Sequence, residues 1–346
     1  MSDQFVPTTT RQPKPSTWRD VVCRYQEPTL CRSLWQVANT VVSYGVLWYL
    51  MYRSMAISSW ITLALAIPTA GFLVRLFIIF HDCGHGSFFR SRKANDTLGV
   101  ITGILAFTPY YQWRHKHAIH HATSSDLDRR GTGDVWTMTV REYLEAPRWK
   151  RFAYRLARNP VVLFGIVPLF LLVVGQRFPW RKADRRERAN VFCTNLAILG
   201  MAALLGWLLG IKAYLMIQLT VLMIAGAVGV WLFYVQHQFE GAYWEHRDQW
   251  DFVKAALHGS SFYRLPRVLQ WFTGNIGFHH IHHLSPGIPN YNLEKCYKAE
   301  PLFRDVQRIT LLSSLKSASY RLWDEQRHTW VGYRHLRALR SRRTRD

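Results

Sequence analysis

Gly277-Phe278-His279-His280-Ile281-His282-His283 is the stretch on which the rest of the chain depends. Two other stretches share its spacing: His81-Asp82-Cys83-Gly84-His85, and His115-Lys116-His117-Ala118-Ile119-His120-His121. Written as H-x-x-x-H, H-x-x-H-H and H-x-x-H-H, the three boxes supply His81, His85, His117, His120, His121, His279, His282 and His283. They account for eight of the 15 histidines in the chain. On a helix, residues three and four apart share a face, so each box aims two or three imidazoles one way. Neutral imidazole is the commonest protein metal ligand near neutral pH. Any one of these histidines alone would read as a satisfied structural residue. Surface or core histidines have no reason to repeat H-x-x-H-H twice, so the boxes predict a polynuclear metal site.

The chain has 346 residues, 49% apolar and 14% aromatic, which allows two soluble domains or one membrane domain. Long uncharged runs alternate with strongly basic ones. A net charge of +22 raises nucleic acid as a partner, but the positive residues flank apolar spans and form no soluble basic domain. Basic loops beside spans mark the cytoplasmic side of a membrane, so no nucleic acid is expected. Met1 to Pro15 is polar and rich in Pro and Thr, without a cleavable signal peptide, and residues 1–18 read as a disordered cytoplasmic lead-in. Cys23, Cys31, Cys83, Cys193 and Cys296 form no C-x-x-C pair, which argues against a disulfide framework, a zinc ribbon or an iron–sulfur cluster.

Ser33 to Tyr52 is uncharged, about the ~20 residues a helix needs to cross a bilayer. Ser54 to Phe80 is interrupted only by Arg75, placed where it can snorkel to the interface, and runs straight into His81. Further on, Lys212 alone separates two more apolar runs. These predict four transmembrane helices in two hairpins: 33–52 with 54–80, and 189–211 with 213–237. Two shorter runs, 97–113 with Pro109 and 159–176 with Pro160 and Pro168, are expected to be re-entrant or to lie in the interface. The first has a box on each side, and both boxes must reach one face of the membrane. The second has basic segments on both flanks. Of 44 Lys and Arg, only Arg53, Arg75 and Lys212 fall within the hairpins. The expected fold is therefore all-α and integral to the membrane. A single domain over 19–325 carries a cytoplasmic helical cap holding every box, both termini are cytoplasmic, and a basic tail occupies 326–346.

The words around the boxes resemble those of the membrane fatty acid desaturases, the histidine-box non-haem di-iron family. The resemblance covers roughly 80–296 and rests on HDCGHGSFF at 81–89, NDTLG at 95–99, HAIHH at 117–121, GTGDVWTMTVREY at 131–143 and GNIGFHHIHHLSPGIPNYNLEKC at 274–296. The last is most similar to bacterial acyl-lipid and omega-type desaturases. H-D-C-G-H followed by Ser-Phe-Phe also favours that branch over carotenoid hydroxylases and ketolases. The resemblance implies two iron ions held mainly by histidine, O2 as co-substrate, and a cis double bond inserted into a lipid-linked acyl chain in a bacterial cytoplasmic membrane. It also implies a ligand outside the boxes, near the end of the fourth span, where His237 stands in Val235-Gln236-His237-Gln238. Spacing alone would not single out His237, because a lone histidine at a helix end is ordinarily interfacial. One departure is Phe233: acyl-CoA desaturases have there an Asn that holds a metal-bound water, a role not carried over.

Imidazole suits iron, and ligating histidines need acceptors that fix the ring and its tautomer. Asp82, Asp126, Asp128, Asp134, Glu240, Glu245 and Asn275 lie near the boxes. Asp82, Asp134 and Asn275 are the candidate acceptors; the alternative is simple solvated loop polarity. His280 and His115 are extra to the spacing and are expected outside the ligand set. Tyr110, Tyr111, Trp113 and Trp136 are candidates for lining a substrate channel, or else ordinary aromatic anchors at the interface.

No side chain removes hydrogen from an unactivated methylene by acid–base catalysis, whereas a metal centre supplied with O2 and two electrons does. Loss of a second hydrogen gives the alkene; return of oxygen gives an alcohol, so a fatty-acyl hydroxylase is the close alternative. No cytochrome b5-like or ferredoxin-like segment is present, so a separate electron donor of one of those types is expected. A different class, a histidine-rich membrane metal transporter, should place ionisable groups at mid-span, and here the spans lack them.

Overall fold

The computed structural model describes residues 17–336. Residues 1–16 of the expected lead-in and 337–346 of the expected tail lie outside the described residues. Helix α1 (Trp18–Cys23) opens the described chain and is followed by α2 (Leu30–Ser54) and α3 (Ser59–His85). These two form the first hairpin, closed by Ser58, whose side chain accepts from the Trp60 N–H, and by Ser54 Oγ, 2.8 Å from Thr62 Oγ1. Arg75 does not snorkel. It is buried, its guanidinium lies 3.9 Å over the Trp271 ring, and it donates to the Trp271 carbonyl, because a later helix folds across this part of α3.

The run 97–113 is divided between α4 (Arg92–Leu105) and α5 (Tyr110–Thr123). The chain reverses sharply between them, with Phe107 at a φ of 55°. Strand β1 (Met138–Thr139), α6 (Val140–Glu145) and α7 (Arg148–Ala157) follow. The run 159–176 becomes a π turn over Val162–Ile166, then α8 (Val167–Val173) and a 3-10 turn, bent by 59° from α7. The second hairpin is α9 (Arg185–Leu209) and α10 (Ile211–His237). It breaks at Gly210, with φ 88°, so Lys212 sits in the first turn of α10 and does not form the turn.

Helices α3, α9 and α10 are long and apolar enough to cross a membrane, and the bent pair 148–177 adds a fourth if it counts as one span. Helix α2 has the length without the same apolarity, since its uncharged run keeps Gln36, Asn39, Thr40 and Ser43. Phe192, Leu196, Leu199, Trp207, Leu208 and Ile211 are exposed along α9 and the start of α10. Such a continuous apolar face marks contact with lipid or another protein.

The elements that follow include α11 (Phe252–His258), β2 (Phe262–Arg264), α12 (Arg267–Phe272), α13 (His279–Leu284), α14 (Asn290–Ala299), β3 (Arg308–Thr310), β4 (Leu322–Asp324) and β5 (Thr329–Val331). The fold is thus mostly helical and not all-α. Strands β1, β4 and β5 form one small sheet, β2 and β3 another. Their residues explain the difference: Trp323 and Trp330 are cross-strand partners that pack with Trp244, a pairing suited to a pleated surface. Strand β5 also carries ordered structure past residue 325, into the stretch expected to be tail. The main core lies where α3 packs between α2 and α10, around Met51, Ala66, Ala70, Val221 and Leu222. A second core, with Phe278, Ile281, Leu284 and Cys296, underlies the third box. All five cysteines are free.

Candidate metal centre

Four helices deliver the nine histidines. The last turns of α3 carry His81 and His85, four residues apart on one face. Helix α5 carries His117, His120 and His121. Helix α10 ends on His237. The short α13 begins with His279 and carries His282 and His283. The chain's folding therefore brings together all eight box histidines and His237.

They gather in two groups. Ligand-capable atoms of His81, His85, His117, His121 and His282 lie within 4.8 Å of one another, as do those of His120, His237 and His283. His279 joins the second group, its Nε2 3.0 Å from that of His237 and 3.1 Å from that of His283. In the first group, His121 Nε2 is 3.1 Å from Nε2 of both His117 and His282. The groups touch where the His121 and His283 rings stack with centroids 4.2 Å apart. Two nitrogens bound to one ion at right angles, with bonds of roughly 2.1 Å, would be separated by about 3 Å, so the spacing fits metal ligation. Among the described residues, Nε2 of His85 and of His120 is buried without a hydrogen-bond partner, which also suits lone pairs reserved for an ion. Burial holds the pKa values of His117, His121, His279, His282 and His283 well below the ordinary imidazole value, so these rings are neutral donors.

Partners behind the cluster orient three rings. Asp82 Oδ1 lies 3.1 Å from His81 Nδ1, and its other oxygen accepts from the Asn290 N–H at 2.7 Å and from Asn290 Nδ2 at 2.8 Å. Asp134 Oδ1 lies 2.6 Å from His120 Nδ1. The loop delivering Asp134 crosses His120 at Gly133, whose φ is 77° and where a Cβ would stand 3.0 Å from His120 Cβ. Glycine meets both demands at once. The Gly259 carbonyl lies 3.3 Å from His237 Nδ1. Asn275 hydrogen-bonds no cluster histidine; it donates to the carbonyl of Asn290, which in turn donates to Asp82. Asn290 and Gly259 carry no sequence signal as partners, because nothing in spacing links them to a histidine distant in the chain.

The extra histidines turn away. His280 is fully buried among Phe262, Tyr297 and Phe303, and burial pushes its pKa down to about 3. His115 Nδ1 lies 2.6 Å from Glu187 Oε1. Of the four aromatics, Trp113 stacks on His117 at 4.3 Å. Tyr110 is buried behind it and donates to the Cys83 carbonyl, while Tyr111 accepts from Arg186. Trp136 packs on Tyr154, away from the cluster. Phe233, read from sequence only as a departure, packs 5.0 Å from the His120 ring and 5.1 Å from that of His237.

Helices of membrane-spanning length and apolarity, with a mostly buried set of nine imidazoles at their ends and in the adjoining short helices, define a histidine-rich helical protein able to bind metal ions. The family model described as "Fatty acid desaturase" matches residues 58–309, and the chain belongs to that family, whose members are oxidoreductases of acyl chains. The chain is 48% identical over 318 residues to "Fatty acid desaturase" of Bacillus subtilis (strain 168), covering 92% of this chain and 90% of that protein. It is 27% identical over 261 residues to "sn-1 oleoyl-lipid 12-desaturase" of a Picosynechococcus species, covering 71% of each. It is 28% identical over 252 residues to "sn-1 acyl-lipid omega-3 desaturase (ferredoxin)" of a Synechocystis species, covering 68% of this chain and 66% of that protein.

Proposed function

We propose that this desaturase acts on the acyl chains of membrane lipids, uses O2 and electrons from a separate ferredoxin- or cytochrome b5-type protein, and binds two iron ions through nine histidines. The observation that carries the reading is the division of those histidines into groups of five and four, in contact through His121 and His283. His81, His85, His117, His121 and His282 would hold one ion, and His120, His237, His279 and His283 the other. The lipid-linked substrate is favoured by the acyl-lipid wording in the names of the cyanobacterial relatives.

When bound, the iron pair supplies the oxidising power to remove hydrogen from an unactivated methylene. The rest falls to the chain. Asp82, Asp134 and the Gly259 carbonyl hold the Nδ1 sides of His81, His120 and His237, which fixes the direction of the opposite nitrogen. Phe233 and Trp113 pack on cluster rings and keep water from their faces. Overall, –CH2–CH2– with O2, two electrons and two protons gives –CH=CH– and two waters. We place four crossing helices (α2, α3, α9 and α10) in a bacterial cytoplasmic membrane, with the histidine-bearing cap and both termini on the cytoplasmic side. Arg53, in the last turn of α2, and Lys212, in the first turn of α10, are the basic residues at the opposite ends of the hairpins, which suits the positive-inside rule.

The test is the fatty-acid profile of a bacterial host expressing the chain with its electron donor, with double bonds located by derivatisation and mass spectrometry, against a His282→Ala control. A new alkene made only by the intact protein is the expected result. A new hydroxy fatty acid would overturn the alkene outcome while keeping the metal site.

A further inference from the structure

The two electrons must enter from outside, because the chain carries neither a C-x-x-C pair nor a second histidine set of metal spacing among its described residues. Electron transfer falls steeply with distance, so the carrier has to approach where the cluster is least covered. Seven of the nine histidines are buried; His85 and His117 alone are partly exposed. His85 lines a half-open cleft of about 690 Å³ between the end of α3, the start of α4, the middle of α5 and the start of α9.

The cleft has a definite chemistry. Arg90, Arg92, Arg114 and Arg186 line it, and no Leu, Ile, Val or Phe does. Its carboxylates are engaged within the protein. Asp96 pairs with Arg114 at 2.8 Å and Arg186 at 3.2 Å, Glu187 meets His115 and Trp180, and Asp184 caps α9. Arg90 and Arg92 stand exposed at the rim beside Lys93. Arg90 has a single carboxylate partner, the equally exposed Glu27, and among the described residues Arg92 has none. A lipid headgroup would bring two acyl chains needing an apolar wall, which this cleft lacks. Its open, cationic mouth instead complements an anionic protein surface.

We infer that this cleft is the docking face for the electron donor, an acidic one-electron carrier protein whose redox group comes to rest over His85, with Arg90 and Arg92 steering its approach. The inference rests on the desaturase reading above. Two reduced carriers each give up one electron at this face for every double bond formed, matching the two electrons in the overall reaction. Charge steering acts on encounter far more than on chemistry and is screened by salt.

The experiment uses the full iron-loaded protein in its membrane, with reduced plant-type [2Fe–2S] ferredoxin as the probe and, in parallel, dithionite as a small reductant. For Arg90→Glu/Arg92→Glu, KM for ferredoxin should rise about tenfold or more at low salt, with kcat within about twofold, and high salt should close the gap. Arg90→Lys/Arg92→Lys should restore the wild-type KM, and dithionite-driven turnover should match wild type. An unchanged KM for ferredoxin would overturn the docking face. So would a raised KM for the lipid substrate alone, which would make the cleft a headgroup site, or an equal loss with both reductants. Absence of alkene from the wild type with either reductant would sink the desaturase reading, and the docking face with it.

Discussion

Asp134 Oδ1 lies 2.6 Å from His120 Nδ1, while Nε2 of the same ring is buried with no partner among the described residues. The carboxylate thus fixes which nitrogen faces the cluster. Asp134→Asn keeps an acceptor oxygen but loses the charge that strengthens the contact, and Asp134→Ala loses both. Changes to such partners typically lower metal affinity by about 10–100-fold. Iron retained per chain across a chelator series should therefore fall in the order wild type, Asp134→Asn, Asp134→Ala. Equal retention in all three would make Asp134 a loop charge and nothing more.

The division into two groups makes a sharper claim about single histidines. His85→Ala removes a member of the five-histidine group and His237→Ala a member of the four-histidine group. Each should leave about one iron per chain and no desaturation, with the protein still in the membrane. His280→Phe replaces a ring packed among Phe262, Tyr297 and Phe303 and should retain both irons. Metal analysis with a fatty-acid assay decides it; iron lost from His280→Phe with the fold intact would misplace the third box.

The boxes were legible because their spacing repeats, and a period of three and four is itself a statement about a helix face. His237 needed the family resemblance, since one histidine at the end of α10 has no spacing to report. Arg75 was misread because sequence shows a charge near a helix end but not Trp271, nearly two hundred residues away, folding over it. The small sheets escaped for a related reason. Strands of two or three residues have too little period to detect, and β1 pairs with β4 far along the chain, with the second hairpin and the third box between them in sequence.

Gly99 sets how closely α4 approaches α5. A Cβ there would stand 2.2 Å from Cε2 of Tyr110, whose hydroxyl donates to the Cys83 carbonyl at 2.7 Å, beside the first box. The Tyr110 ring is buried and cannot swing aside, so Gly99→Ala forces the helices apart at a cost of about 1–3 kcal/mol. A lower thermal midpoint in detergent is expected. Gly99→Ala with Tyr110→Phe should recover little, because the clash is with the ring and not with the hydroxyl. Full recovery in that double variant would contradict this packing.

His246 offers a pH dependence outside the membrane and away from the cluster. Its Nδ1 lies 2.9 Å from Asp128 Oδ1 and its Nε2 3.1 Å from Glu325 Oε1, tying the loop after the second box to the C-terminal segment. The Asp128 hydrogen bond raises its pKa above the ordinary value; burial opposes the rise, and a smaller contribution from Glu325 adds to it. A raised folded-state pKa contributes stability that is complete below the unfolded value of about 6.5 and is lost as pH climbs through the folded value. All three side chains are partly exposed, so the effect is small. His246→Gln keeps hydrogen-bonding capacity without the charge. The difference in thermal midpoint between wild type and His246→Gln should be larger at about pH 6 than at alkaline pH, above the folded-state value. A difference that grows toward alkaline pH would mean that the neutral ring, and not the ion pairs, holds the two segments together.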